Sequence, residues 1–452
     1  MKRKIPRVLL AGTGSGCGKT TAVCAILQAL VDRGMRPGAF KSGPDYIDPM
    51  FHSRIIGAKS ANLDPFFFDE NTLRLLLAKN GADRDVSVIE GAMGYYDGAG
   101  LTTSGASSWE TACRTDTPAV LVVPARGAAL SVLAVIGGFL DFQTGSRIRG
   151  VLLSRCTAMT YQGLASEIRR RFGGRVEPLG FLPEMPACAL ESRHLGLVTA
   201  AEVEGLREKM RLLARQAEET IDLDGLLELA DGAPPLEYEP LAMERRERVR
   251  IAVARDRAFC FYYEDSLELL EELGAELVNF SPLAAPRLPE NIQGLYLGGG
   301  YPELYAKELS RNEGVRRSIR EAVEGGLPCV AECGGFMYLT EDIGGWPMAG
   351  CLPGKCWDMG RLTRFGYVTL RAKEDNLLCR AGEEIRAHEF HHWDAERPGK
   401  AFTARKSGGR TWDCAAASER LYAGFPHFHF YANPRFAENF YEACIKEKHR
   451  HA

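Results

Sequence analysis

The sequence has neither a long apolar run nor an excess of charge of one sign. Its most apolar segment, residues 128–140, is too short to cross a bilayer and is flanked by Arg126 and Asp141. The 56 Lys and Arg residues nearly balance the 59 Asp and Glu residues, which leaves a net charge of −3 and argues against a dedicated nucleic-acid binder. The basic start leads directly into a predicted strand rather than into a signal peptide. We therefore expect a cytoplasmic protein with no membrane span and no nucleic-acid partner.

The cysteine pattern of a disulfide-bonded protein or of a C-x-x-C site is also missing. The thirteen cysteines are an odd number, and Cys351 and Cys356 have four residues between them, too many for a C-x-x-C redox or zinc pair. We expect reduced thiols, as in the cytoplasm. The chain has no internal repeat, and its 452 residues exceed the usual size of one domain, so two or three domains are expected.

A glycine-rich segment between a predicted strand, residues 7–11, and a predicted helix, residues 22–30, indicates a phosphate-binding loop. It consists of Gly12, Thr13, Gly14, Ser15, Gly16, Cys17, Gly18, Lys19, Thr20 and Thr21. The backbone N–H groups of such a loop and the helix N-terminus bind an anion. We expect Lys19 to reach the β- and γ-phosphates of a nucleotide and Thr20 to hold Mg²⁺.

The loop departs from the strict G-x-x-x-x-G-K-[ST] pattern at its first position. That pattern requires a glycine where this chain has Thr13, and the glycine stands one residue earlier, as Gly12. The displaced glycine resembles the loop of dethiobiotin synthetase and its relatives, which activate carboxylates with ATP.

The loop after the second predicted strand contains Lys41, Asp45, Tyr46 and Asp48. The carboxyl ends of parallel strands meet at one edge of a sheet, where ligands bind. We assign Asp45 to Mg²⁺ and Lys41, Tyr46 and Asp48 to the substrate. The alternative is that the two aspartates only form turns or cap the following helix.

A third predicted strand ends in a second acidic loop, which contains Glu90 and Asp97. An acidic residue that closes a buried strand beside a phosphate-binding loop is in the place of a Mg²⁺ ligand. We expect Glu90 to bind Mg²⁺ and Asp97 to have a substrate or catalytic role. For Asp97 a plain turn is the alternative.

Apolar strands that alternate with helices predict an α/β fold with a doubly wound parallel sheet for the first domain, residues 1–195. Residues 196–247 are predicted to form a helical segment and a Pro-rich, charged linker. A second α/β domain is expected over residues 248–448, with a helix at residues 264–273.

Cys333 lies between a predicted strand, residues 328–332, and a predicted helix, residues 336–340. The arrangement resembles the nucleophile elbow of α/β hydrolases. We expect an exposed thiol whose pKa is lowered by the helix N-terminus. The alternative is a buried cysteine in a tight turn.

Glycines surround the predicted elbow in the sequence. The N–H of Gly334 is expected to hold an oxyanion, and Gly299 and Gly300 are expected to supply a second donor.

Two histidines near the C-terminus, His427 and His429, are candidates for the base that a cysteine nucleophile requires. In a strand they share one face, so alternation does not choose between them. A second group contains His388, His391 and His392, but no ligand spacing completes a metal site. We expect these three at the surface or in an interface.

Eight segments together resemble the cobyrinate a,c-diamide synthases, the glutamine-dependent amidotransferases of corrin biosynthesis. In chain order they are GTGSGCGKTT, KSGPDYIDPMFH, EGAMGYYDG, LYLGGGYPEL, AECGGFMYL, RFGYV, HEFHHW and PHFHFYANP. The resemblance extends from Arg7 to about Tyr441. KSGPDYIDP and GGGYPEL are specific to that family, whereas the phosphate-binding loop is shared with many relatives.

The resemblance implies two active sites. The first domain would use ATP and Mg²⁺ to phosphorylate the a- and c-acetate carboxylates of the macrocycle, and ammonia would attack each acyl phosphate. The second domain is similar to class I glutamine amidotransferases, with Cys333 as nucleophile, His427 as base and His429 as the alternative base. The usual glutamate two residues after the base is absent, so the group that orients His427 is not identified. The sequence leaves the oligomeric state open, a homodimer among the options.

Hydrogenobyrinate and nickel-sirohydrochlorin remain alternative substrates. A further alternative is the activity of cobyric acid synthase, which matches KSGPDYIDP less well.

Two hypotheses come from other classes of protein. A partition-type ATPase, a molecular switch with a similar loop, would leave Cys333 without a role. A binding module would retain the nucleotide without turnover.

Overall fold

The computed structural model describes residues 1–189 and 200–450. These residues belong to two compact units, which divide between Leu241 and Ala242. The predicted limit of the first domain at residue 195 lies outside the described residues.

The first unit contains a seven-stranded sheet in which each strand runs parallel to its neighbours. Its strands are β1 (Arg7–Gly12), β2 (Pro37–Ser42), β3 (Lys59–Leu63), β4 (Val86–Gly94), β5 (Ala119–Pro124), β6 (Ile148–Ser154) and β7 (Glu177–Leu182). Their order in the sheet is β3-β2-β4-β1-β5-β6-β7. The central strands β1 and β4 are apolar runs with both faces buried, as helices on both sides require. The predicted doubly wound parallel sheet is confirmed.

Eight α-helices are described in this unit. They are α1 (Lys19–Asp32), α2 (Ile47–Phe51), α3 (Glu70–Gly81), α4 (Ser108–Arg114), α5 (Ser131–Asp141), α6 (Ala158–Phe172), α7 (Ala200–Thr220) and α8 (Leu223–Asp231). A one-turn π-helix, His52–Ile56, continues α2.

The helices α7 and α8 complete the core of the first unit. Met210 and Leu213 of α7 and Leu226 of α8 are buried in the same cluster as the apolar face of α1. Most charged residues of this segment are exposed, and Arg33, the residue after α1, bonds Glu218 at 2.7 Å. Residues 200–241 of the segment set apart in the sequence as helix and linker therefore belong to the first unit, because the apolar stripe of the helices requires burial.

The second unit is built on a parallel sheet of five strands. With the long hairpin that lies between its last two strands in the chain, the strands are β8 (Val249–Ala254), β9 (Ala275–Phe280), β10 (Gly294–Leu297), β11 (Cys329–Glu332), β12 (Lys355–Ala372), β13 (Glu384–Ala395) and β14 (Leu421–Gly424). The sheet has the order β9-β8-β10-β11-β14, and a short antiparallel strand, Ala416–Ser418, pairs with β14 at its edge. The helices are α9 (Glu264–Leu273), α10 (Ala306–Arg311), α11 (Glu313–Glu324), α12 (Gly334–Leu339) and α13 (Pro434–Arg450).

The hairpin of β12 and β13 brings distant residues beside the end of the parallel sheet. Its strands pair antiparallel with two register shifts. The short strand His427–Phe428 pairs with β13 and places His427 opposite His388. Among the described helices, none is long and apolar enough to span a bilayer.

We expect Leu213→Ala to destabilise the first unit, since Leu213 is fully buried against α1. Removal of a buried leucine side chain costs about 2–5 kcal/mol. Hydrogen exchange of the α1 amides measures this loss. Leu212→Ala is the matched control, because Leu212 is 37% exposed and its truncation should change the exchange little. Equal effects of the two substitutions would contradict the packing of α7 in this core.

Candidate active sites

The phosphate-binding loop connects the end of β1 to the start of α1. Gly18 has φ 90°, a left-handed conformation that favours glycine, and it caps α1. A Cβ on Gly12 would lie 2.2 Å from the Sγ of Cys17, so the inward fold of the loop requires glycine at position 12. From β6, Ser154 Oγ donates to the carbonyl of Cys17 at 2.5 Å. The displaced glycine is thus explained by the cysteine that packs on it.

Lys19 extends from the first turn of α1 to the end of β4. Its Nζ donates to the carbonyl of Met93 at 2.9 Å, and Met93 has an unusual positive φ of 43°. Burial and the nearby charge of Lys41 lower the pKa of the Lys19 ammonium. The ammonium is therefore buried directly beside the loop, with Lys41, Glu90 and Asp48 as its charged neighbours.

Glu90 is the fully buried centre of the polar cluster at this edge of the sheet. Its Oε1 accepts hydrogen bonds from Thr20 Oγ1 at 2.7 Å and from Lys41 Nζ at 3.1 Å. The Nε2 of His52 lies 3.3 Å from the other oxygen. Burial alone would raise the pKa of Glu90, but Lys41 and His52 outweigh it and hold the pKa well below its usual range. Glu90 is thus an ionised carboxylate in the interior.

The loop after β2 joins the same cluster. Lys41 Nζ lies 2.5 Å from Asp48 Oδ2. Asp45 accepts from the backbone N–H of Ile47 at 2.8 Å, and burial, with the charge of Asp48, raises the pKa of Asp45 to about 6. Tyr46, which stands between Asp45 and Asp48 in the sequence, is also buried. The structure therefore brings Lys41, Asp45, Tyr46 and Asp48 to the edge of the sheet that carries the phosphate-binding loop.

Asp97 lies in an environment different from the buried cluster around Glu90. It is exposed, and its Oδ2 accepts from the backbone N–H of Gly94 at 2.8 Å. This bond closes the turn after β4, the arrangement given above as its alternative.

Metal ligands were also predicted here. Among residues 1–189 and 200–450, no group of three or more His, Cys, Asp or Glu side chains is arranged to hold a metal ion. Thr20 and Glu90, by contrast, meet directly through their oxygens. Mg²⁺ beside a nucleotide needs only one or two protein oxygens, because phosphates and waters complete its shell.

Cys333 lies at a sharp turn between β11 and α12. Its backbone has φ 46° and ψ −99°, and its N–H donates to the carbonyl of Gly424 at 2.7 Å. A side chain at such a strained position is characteristic of a nucleophile elbow.

Two expectations for the thiol are wrong. Cys333 is buried, with only 6% of its surface exposed. Burial, and then the charges of Glu303 and Glu389, raise the pKa of the thiol well above its usual value. The N–H of Gly334 acts in the opposite direction but is outweighed. The six-residue α12 is too short for its N-terminus to overcome enclosure.

The three predicted oxyanion glycines lie together around the elbow. A Cβ on Gly334 would come within 3.1 Å of the backbone N of Gly300, and a Cβ on Gly299 would come within 2.4 Å of His427 Cε1. A side chain at either position would displace these neighbours. Gly334 thus lies against the backbone of Gly300, and Gly299 lies against the ring of His427.

A carboxylate partner of His427 was missed in the sequence. Glu332, the residue before the nucleophile, has its Oε2 3.3 Å from His427 Nδ1. Its Oε1 accepts from Tyr296 Oη at 2.8 Å. Glu332 closes β11 and pairs with Gly424 of the neighbouring strand, so only the parallel pairing of β11 with β14 brings it to His427. The signal for Glu332 that the sequence offered was an acidic residue at the end of an apolar strand.

His429 occupies another place. Its ring accepts from the backbone N–H of Tyr431 at 3.2 Å and caps the short helix Phe430–Ala432. The ring also lies 4.8 Å from that of Tyr263, between ring centroids. His427 is the histidine that contacts Glu332, the residue before Cys333.

The prediction that three histidines lie at the surface or in an interface is wrong for His388 and His391, which are buried. His392 is exposed. The ring of His388 stacks on that of His427 with centroids 5.2 Å apart. Burial and the charge of His427 lower the pKa of His388 well below its usual value. The hairpin of β12 and β13 folds over the elbow and encloses these side chains.

Glu389 and His391 form a second polar pair under this hairpin. Glu389 accepts from His391 Nε2 at 2.9 Å and from Trp412 Nε1 at 3.2 Å. His391 stacks on Phe425 with ring centroids 4.1 Å apart. The pair supports the segment that leads from β14 to His427.

Comparisons with known proteins match the two halves of the chain separately. Residues 8–198 match the CobQ/CobB/MinD/ParA nucleotide binding domain. Residues 250–435 match the CobB/CobQ-like glutamine amidotransferase domain. A partition-type ATPase would have no use for residues 250–435. Their match to an amidotransferase domain therefore disfavours that hypothesis.

Curated relatives match nearly the whole chain. The cobyrinate a,c-diamide synthase of Caldanaerobacter subterraneus subsp. tengcongensis is 40% identical, over 96% of this chain and 98% of its own. The cobyrinate a,c-diamide synthase of Thermoplasma volcanium is 38% identical, over 98% of each chain. With both domains in the same order and such coverage, this chain belongs to the family of the cobyrinate a,c-diamide synthases.

Proposed function

We propose that the chain amidates the a- and c-acetate carboxylates of cobyrinate, with ATP as activator and glutamine as nitrogen donor. The observation that carries the proposal is the presence of two built sites in one chain of this family. One is a phosphate-binding loop joined to buried Glu90 through Thr20, and the other is a cysteine elbow beside the Glu332–His427 pair. The free state of all thirteen cysteines agrees with a reducing cytoplasm.

The first site would activate the carboxylate. A carboxylate does not react with ammonia, because oxide would have to leave. Transfer of the γ-phosphoryl group from ATP to a carboxylate oxygen gives an acyl phosphate and ADP. Attack by ammonia at the acyl carbon then forms the amide and releases phosphate. Positioning and charge neutralisation provide most of the catalysis in such a transfer.

The residues beside the loop divide these tasks. Lys19 would bind the β- and γ-phosphates, and Thr20 and Glu90 would hold Mg²⁺, with Asp45 as a further ligand. The ion, when bound, would neutralise phosphate charge. Lys41 would steer the carboxylate.

The other predicted substrate contacts lie in the same loops. Tyr46, Asp48 and Asp97 would position the macrocycle.

The second site would release ammonia. Because the raised pKa keeps the Cys333 thiol protonated, His427 would remove its proton as Sγ attacks the amide carbon. The N–H groups of Gly334 and of Gly299 or Gly300 would hold the oxyanion. Glu332 would fix the tautomer of His427, the task of the acidic member of a catalytic triad. His427 would then protonate the departing ammonia, and water would hydrolyse the thioester.

A substrate panel tests this proposal. Cobyrinate, hydrogenobyrinate and nickel-sirohydrochlorin are each supplied with MgATP and glutamine, and hydroxylamine is added to trap the acyl phosphate as a hydroxamate. We expect diamide and hydroxamate from cobyrinate. Amidation of only another acid would overturn the assigned substrate, and amide formation without ATP would overturn the acyl phosphate.

Lys19→Ala should impair amidation with either nitrogen source, because activation of the carboxylate precedes both. Loss of one preorganised charge contact commonly lowers kcat about 100-fold or more. Rates with glutamine and with ammonium chloride measure the effect. Lys59→Ala removes an exposed lysine of β3 and serves as control. Normal ammonia-dependent synthesis by Lys19→Ala would refute this role.

Cys333→Ala should abolish glutamine hydrolysis and glutamine-dependent amidation, yet retain amidation with added ammonia. The thiol provides the carbon–sulfur bond of the intermediate, and no other group replaces it. Coupled glutamate and amide assays separate the two activities. Cys113→Ala should leave both intact, since Cys113 is only half-buried and lies in the first unit rather than in the glutaminase unit. Glutaminase activity in Cys333→Ala would disprove the assignment.

Glu332→Gln should lower the kcat for glutamine by about 100-fold or more, because the amide no longer stabilises the correct tautomer and the imidazolium of His427. Ammonia-dependent amidation should be unchanged. The comparison substitution is Glu308→Gln on the exposed face of α10. An unaltered kcat for glutamine in Glu332→Gln would exclude it as the group that orients the base.

A further inference from the structure

Glu303 is a half-buried acid next to the elbow that the proposed mechanism does not use. It is the second residue of a short helical turn, Pro302–Tyr305, which follows the glycines of the oxyanion site. Its neighbour Pro302 packs on the elbow, since a Cβ on Gly334 would lie 2.9 Å from Pro302 Cδ. Within the described residues, the enclosed Oε2 of Glu303 has no hydrogen-bond partner. A buried carboxylate oxygen without a partner is costly, and this calls for an explanation.

The charges around Glu303 make its position more unusual. No Lys, Arg or His side chain forms an ion pair with it in the part of the chain that the structure describes. Burial and the negative charge of Asp358 raise the pKa of Glu303 to about 7. Glu303 is also the charged group that raises the pKa of the Cys333 thiol most. A negative group so close to the nucleophile opposes formation of the thiolate.

Glutamine offers a cation that fits this location. Its amide must reach Cys333 and the oxyanion glycines, and its α-ammonium, three carbons away, needs an anionic partner within a few ångströms. An ammonium that docks on Glu303 would satisfy the enclosed oxygen. It would also cancel the charge that opposes thiolate formation.

We propose that Glu303 binds the α-ammonium group of glutamine and thereby makes the glutaminase site specific for an α-amino acid amide. The inference rests on the proposed glutaminase function of Cys333. It couples glutamine binding to the reactivity of Cys333, because the bound ammonium neutralises the negative charge of Glu303, which favours the protonated thiol in the free enzyme. The free enzyme is consequently less reactive than its complex with glutamine.

The test compares glutamine with glutaramate, the same amide without the α-amino group. Glu303→Gln should lower kcat/KM for glutamine about 10- to 100-fold, mainly through KM, the range expected for loss of one charge-assisted hydrogen bond. Its kcat/KM for glutaramate should be unchanged. Glu308→Gln, on the exposed face of α10, is the matched control and should alter neither value.

A second readout separates recognition from a structural role. Removal of the Glu303 charge should speed alkylation of Cys333 by iodoacetamide in the free enzyme, measured on the Cys333 peptide by mass spectrometry. Faster alkylation with poorer use of glutamine is the expected pair of results. Equal losses with glutamine and glutaramate, or slower alkylation, would overturn the inference.

A wild-type measurement decides the case if Glu303→Gln fails to fold, which loss of ammonia-dependent amidation would reveal. The ratio of kcat/KM for glutamine to that for glutaramate should rise with pH through about 7, because only ionised Glu303 binds the ammonium. A ratio independent of pH would refute the role of Glu303. Absence of any glutaminase activity in the wild type would instead refute the proposed function.

Discussion

A buried glutamate near the carboxyl end of a central strand determines the geometry of each site. Glu90 of β4 and Glu332 of β11 are both enclosed, and burial of a carboxylate is unfavourable unless it is paired. Glu90 is paired with Thr20 and Lys41, and Glu332 with Tyr296 and His427. These obligatory contacts fix the side chains that the proposed chemistry uses.

The two sites use their charges in opposite ways. At Glu90, Lys41 and His52 contact the carboxylate and the charge of Lys19 lies near it, which suits the phosphates and the carboxylate substrate of the proposed function. Around Cys333, the acids Glu303, Glu389 and Glu332 raise the pKa of the thiol. The chain is a glutamine-dependent, amide-forming ligase, and a thiol that is reactive only with glutamine bound would limit ammonia release without a substrate.

Local patterns predicted much of the fold, and tertiary contacts account for what they missed. The loop after β1 and the helix at residues 264–273 follow from local spacing, and α9 has those bounds. The strand β3 (KSANL) is too polar to recognise, although the sheet buries it. Placement of Glu332 against His427 and enclosure of Cys333 depend on strand pairing and on a hairpin with shifted register. Such long-range contacts leave no periodic signal.

The central claim is that one chain takes nitrogen from glutamine and places it on an ATP-activated carboxylate. Its most direct test supplies wild-type protein with cobyrinate, MgATP and glutamine labelled with ¹⁵N in the amide, in the presence of unlabelled ammonium at the same concentration. The account predicts ¹⁵N in both new amides, with one ADP formed for each. Product that carries only unlabelled nitrogen, or ADP formed without any amide, would contradict it.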